Sequence, residues 1–177
     1  MRQFSAAGAV VLLCVLVFGC SSGASRTGPS LHPMGEAVQV GPLIYTVLDA
    51  EWLDQLGESI SVRTPQQRFL AIRISVTNSG SGTSGVPALR LQDSRGTTYE
   101  ELPNGDGLPE WLGYLRSVKA AQTERGRLLF DVPLGAYRLR LVNDADPENE
   151  KVALVDIPLH LGSPIPAPAG PPPTPQP

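Results

Sequence analysis

Between Glu36 and about Leu161, apolar and polar residues alternate in short runs separated by turn-forming residues. A period of two is the mark of a strand with one face buried and one face wet. Phe69 to Asn78 shows it most clearly, with Leu70, Ile72, Ile74 and Val76 on one side and Ala71, Arg73, Ser75 and Thr77 on the other. The run stops at Asn78-Ser79-Gly80-Ser81-Gly82, a composition suited to a loop. Leu43, Tyr45 and Val47 begin an earlier strand after Gly41-Pro42. Leu89 and Leu91 lead into the turn Asp93-Ser94-Arg95-Gly96, with Thr97 to Glu101 as the returning arm of a hairpin. Leu128, Phe130 and Val132 make a later strand, Tyr137, Leu139 and Leu141 another, and Ala153, Val155, Ile157 and Leu159 the last. Strands with one apolar face need a second sheet to cover them. About seven of them predict an all-β domain, an immunoglobulin-like β-sandwich. A domain of roughly 125 residues buries about two-thirds of its unfolded surface, enough for stability without a disulfide.

One stretch breaks the alternation. Pro109, Trp111, Leu112, Leu115 and Val118 have helical spacing, with Pro109 suited to a first turn and Gly113 unfavourable inside a helix. A short helix or structured loop is expected over 109–119, crossing one end of the sandwich.

Outside this domain the pattern is different at each end. Arg2, the apolar run Ala6 to Phe18 and small Gly19 form the three parts of a secretory signal, expected to occupy residues 1–19. The run is too short to span a bilayer core of about 30 Å comfortably. Its end, Val17-Phe18-Gly19-Cys20, resembles the bacterial lipobox, with Phe18 where a small residue is usual. On that resemblance Cys20 becomes the first residue of the mature chain. Its thiol carries a diacylglyceryl group, and its freed amine takes a further acyl chain in some bacteria. Two lipid signals anchor stably where one binds only marginally. Residues 21–35 read as a flexible tether spanning on the order of 20 Å, so that the domain occupies 36–162. Ser21 after the cysteine resembles the pattern sorted to the outer membrane in cells with two membranes. Residues 163–177 are Pro-rich and are expected to form a disordered tail of polyproline type.

Composition narrows the function classes. Without residues 1–19 the chain holds 13 basic and 17 acidic residues, spread without a basic patch, so nucleic acid is not an expected partner. Cys14 leaves with the signal and Cys20 remains alone, which excludes an internal disulfide. The histidines are His32, in the tether, and His160, at the end of the last strand. The serines sit in Gly-rich loops without a nucleophile elbow. No catalytic residue, cofactor or small-molecule substrate is therefore assigned. Asp144, Asp146 and Glu148, in an acidic loop, and Asn104-Gly105-Asp106-Gly107 offer oxygens to a hard cation such as Ca²⁺. Neither completes an EF-hand, and a solvated turn is the simpler account. Trp52, Trp111 and Tyr114 either cap the open end of the sandwich or form a recognition patch. Tyr137, on the inward side with Leu139, is suited to a hydroxyl–backbone bond near a strand corner.

Several stretches also resemble one family. Val38 to Val47, the run RFLAIRISVTN from Arg68 to Asn78, the hairpin Leu91 to Tyr99, and Gly126-Arg127-Leu128-Leu129-Phe130-Asp131-Val132-Pro133 are similar to the telokin-like immunoglobulin-fold domain of bacterial lipoproteins. The likeness covers about residues 36–160. One departure is Ala120-Ala121, where a Pro-Gly turn often precedes the late strand. The resemblance implies the fold and an envelope location, and carries no catalytic residues with it. The expected function is a lipid-anchored, non-catalytic module that binds a protein or another envelope component. The alternatives are a passive structural component or, further off, an enzyme or Ca²⁺-binding domain.

Overall fold

The structure, a computed structural model, describes residues 28–58, 61–142 and 151–160. Eleven strands run β1 (Ser30–His32), β2 (Ala37–Val40), β3 (Leu43–Leu53), β4 (Phe69–Asn78), β5 (Ser84–Val86), β6 (Arg90–Gln92), β7 (Thr98–Glu100), β8 (Arg116–Val118), β9 (Thr123–Asp131), β10 (Tyr137–Val142) and β11 (Val152–Ile157). One sheet has the order β1-β11-β10-β6-β7 and the other β2-β3-β4-β9, while β5 and β8 pair as a separate ribbon. The sheets face each other as a β-sandwich, the all-β fold expected from the alternation. The strands beyond the expected seven are β1, β2, β5 and β8, each of three or four residues, too short to show a period of two.

The facing layers are filled by the side chains the alternation selects. Leu70, Ile72, Ile74 and Val76 of β4 and Leu128 and Phe130 of β9 meet Leu91, Leu139, Leu141 and Val155 of the opposite sheet, all essentially excluded from water. Burying side chains of this size contributes about 1.5–3 kcal/mol each. The inward parity of β3 changes partway along the strand. Leu43, Tyr45 and Val47 point inward, Leu48 is an extra residue in a bulge, and Ala50 and Trp52 then take the inward side opposite Ile72 and Leu70.

The segment expected as a helix or structured loop contains no helix. Residues 101–115 arch over the outer side of the second sheet and end in β8. Their backbone bonds are intersegmental: Leu102 N–H donates to Leu129 O, Arg127 N–H to Glu110 O and Leu112 N–H to Arg127 O. The apolar residues at helical spacing instead have different surroundings. Trp111 and Leu108 join Phe69, Ala71 and Leu129 in a second apolar cluster, Leu112 packs on the main core, and Leu115 is almost fully exposed.

The sheet also starts earlier than Glu36. Ser30–His32, within the stretch read as tether, pairs in parallel with β11 through Ser30 opposite Ala153 and His32 opposite Val155. Parallel pairing sets the poles of the domain. The chain enters β1 at the pole that holds Val142 and Asn78 and leaves β11 at the opposite pole, where Ile157 lies across from Tyr137.

Candidate binding groove

The ribbon β5–β8 leaves a groove against the ends of β4 and β9. Its cavity of about 270 Å³ has apolar walls from Val76, Val86, Leu112, Leu115 and Val118 and polar ones from Arg116, Ser117 and Glu124. A shallower extension runs past Pro87 and Tyr114. Leu115, at 95% exposure, stands on the rim between them. A leucine held in water beside a cavity is the kind of exposed apolar feature that marks contact surfaces.

The ribbon is fixed from within by an ion pair. Arg116 and Glu101 are both nearly excluded from water. Nη1 of Arg116 donates to Glu101 Oε1 at 2.6 Å and Nη2 to Oε2 at 2.8 Å. The same nitrogens reach Gly113 O and Pro87 O, and Glu101 Oε2 accepts from Leu89 N–H. The guanidinium thereby joins both sides of the groove, and its charge is spent internally rather than offered to a ligand. Asn78 holds the adjoining loop. Its amide donates to Gly82 O and Val118 O and its carbonyl accepts from Gly80 N–H, so a fully buried side chain is satisfied. The Asn that closes the long alternating strand is therefore the pin of the β4–β5 connection.

The aromatics singled out in the sequence do not form one patch. Trp52 is half-buried on the inner side, its ring 6.3 Å from that of Tyr137. Trp111 lies on the outer side of the same sheet in the second cluster. Tyr114 alone belongs to the groove. Cys20 and the acidic loop with Asp144, Asp146 and Glu148 lie outside the described residues. Among the described residues no three metal-ligating side chains gather. Asn104 and Asp106 bond to each other as a turn.

Other polar groups are spent on structure. Tyr137 Oη donates to Pro133 O at 2.5 Å, the strand-corner bond expected for this residue. Burial, with smaller contributions from Tyr99 and Asp93, pushes its hydroxyl up to about 12. For Asp93, desolvation pushes upward, but the N–H groups of Thr97 and Arg95 outweigh it and hold the carboxyl below its ordinary range. His32 links Ser30 Oγ at 2.8 Å and Glu36 Oε1 at 2.9 Å. That connectivity is the one nucleophile catalysis uses. Here all three groups lie within seven residues on the sheet's margin, with Glu36 half-exposed, and they fasten β1 to the start of β2.

A family model described as "Domain of unknown function (DUF4352)" matches residues 32–153. The chain belongs to this family. No curated protein matches the sequence. Solved structures similar to this DUF4352 domain include the yjhA protein from Bacillus subtilis, at 16% identity and a TM-score of 0.55, covering 71% of this chain and 98% of that one. A candidate lipoprotein, ycdA, from Bacillus subtilis is 19% identical with a TM-score of 0.54, over 70% of this chain and 38% of its own length. The secreted protein MPT63 from Mycobacterium tuberculosis is 14% identical with a TM-score of 0.51, over 75% of this chain and 98% of that one. At these identities the likeness is one of fold. One signal tied the sequence to this geometry: Gly126 opens the stretch that runs to Pro133, and a Cβ there would lie 2.8 Å from Glu110 O, so the arch approaches β9 only where the side chain is missing. The pairing of Glu101 with Arg116 had no signal of its own, since fifteen residues and no regular element separate them.

Proposed function

We propose that this DUF4352 protein is an exported lipoprotein, held to a membrane through lipid on Cys20, whose sandwich is a non-catalytic module that binds an envelope protein through the β5–β8 groove. The observation that carries the reading is Leu115, standing in water over a cavity with both apolar and polar walls, braced by the Arg116–Glu101 pair. The signal and lipobox-like stretch support the address. So do the likeness to a telokin-like lipoprotein domain and the neighbours described as a candidate lipoprotein and a secreted protein. With Arg116 neutralised internally and Glu124 on the rim, the groove favours an apolar side chain flanked by a basic one.

Two measurements in cells test the two halves separately. Cys20→Ser should move the protein from the membrane fraction to the soluble envelope or medium; undiminished retention contradicts lipid anchoring. A photo-crosslinking residue in place of Leu115 should give a discrete adduct that the same probe at exposed Lys119 does not give. The same adducts at both positions, or none at either, would remove the groove from the proposal.

A further inference from the structure

The chain enters β1 at one pole and leaves β11 at the other, on neighbouring strands that run side by side in the same direction. We propose that the β1–β11 ladder is a shear clamp, and that the domain serves as a force-bearing link between what holds its N-terminus and what holds its C-terminal arm. Tension applied at the two termini pulls Ser30 backward along its strand and Ile157 forward along its own. The bonds between these strands lie across that direction, so Ser30, Leu31 and His32 are loaded together against Ala153, Leu154 and Val155. His32, bonded to Ser30 and Glu36, ties the short strand to the chain that follows it. The next ladder has the opposite disposition. β2 is antiparallel to β3, with Val40 across from Leu43 at the entry pole and Ala37 across from Thr46 away from it. Once β1 is lost, the pull reaches Ala37 first and opens β2 one rung at a time. The clamp is therefore the element that sets the barrier to forced unfolding, which is governed by the unfolding rate rather than by equilibrium stability.

The inference rests on the proposed anchoring only for the source of the tension, and its test uses unlipidated protein so that the two can fail independently. In the mature chain, residues 20–177, Cys20 is the one thiol and supplies the first handle. The second is Pro177→Cys, which pulls pole against pole, or Lys151→Cys, which draws on β11 from the entry pole and peels β1. At equal loading rates the Pro177→Cys pair should unfold at about twice the force of the Lys151→Cys pair, or more. Equal or reversed forces would overturn the clamp. Leu31→Pro and His32→Pro, made separately, between them remove both alternating sets of amide donors from the short strand. One of them should bring the pole-to-pole force down to the peeling value while the urea midpoint stays within error of the parent. If neither changes the force, β1 is not the barrier.

Discussion

The facing layers of the sandwich and the arch from Glu101 to Leu115 are built on different terms. In the layers, each inward side chain is placed by its own strand: Leu70, Ile72, Ile74 and Val76 lie on one side because a strand alternates, and Leu128 and Phe130 meet them because β9 pairs with β4 in register. In the arch no local period operates. Its course is set by contacts with distant residues, namely Leu102 to Leu129, Glu110 and Leu112 to Arg127, and Glu101 to Arg116. Periodic burial distributes stability over many interchangeable contacts, whereas the arch concentrates it in a few that have no substitute.

Breaking the arch at its ion pair should have the largest effect. Arg116→Met leaves Glu101 buried without its partner, a loss of about 3–5 kcal/mol, measurable by urea denaturation. Adding Glu101→Leu should restore part of that loss by removing the stranded charge, while Leu89 N–H, Gly113 O and Pro87 O stay without their side-chain partners. A double mutant no more stable than the single one would mean that the pair is not the brace. Next comes Gly126→Ala, which puts a methyl group against Glu110 O and Leu112 Cβ. Overpacking of this kind costs about 1–3 kcal/mol. Hydrogen exchange at Arg127 and Leu112 should accelerate while amides of Ile72 and Ile74 stay protected; uniform loss of protection would show that arch and layers unfold as one unit.

A smaller change tests the turn that leads from β8 into β9. Ala121 has φ 58°, the left-handed conformation an L side chain resists, and Gln122 N–H closes the turn on Lys119 O. Ala121→Gly should raise stability by about 1 kcal/mol, read as an upward shift in melting temperature. In the layers, Tyr137 gives an effect that becomes visible only in the alkaline range. Its hydroxyl is raised to about 12 from a normal value near 10. The folded state therefore keeps a proton that the unfolded chain gives up, and this contribution is present below pH 10 and lost as pH rises toward 12. Tyr137→Phe should flatten that part of the alkaline stability profile. An unchanged slope would assign it to other groups.

The same contrast explains what could be read from the residues. The β4, β9, β10 and β11 strands were legible because each carries several alternations, and Tyr137 because a corner tyrosine declares its own chemistry. The helical spacing of Trp111, Leu112, Leu115 and Val118 misled because these residues do not share one face: Trp111 joins the second cluster, Leu112 and Val118 the main core, and Leu115 stands in water. Trp52 read as an end cap or a recognition residue because the bulge at Leu48, which turns it inward, leaves no mark in the pattern. Ser30 to His32 is too short to show any period, and only its partner β11 makes it a strand. The groove combines all of these gaps, which is why Tyr114 was visible as a candidate and the cavity beside it was not.

The way the arch lies along β9 bears on how copies of the molecule behave toward one another. Glu110 and Leu112 occupy both hydrogen-bonding groups of Arg127, and Leu102 takes the carbonyl of Leu129. A strand from a second molecule approaching that margin finds the middle of β9 already occupied. A fibril growing through this sheet needs two open margins on every copy, one to receive and one to give. With the middle of β9 taken, a continuous ladder cannot form along that side, so local crowding at a surface need not lead to polymer.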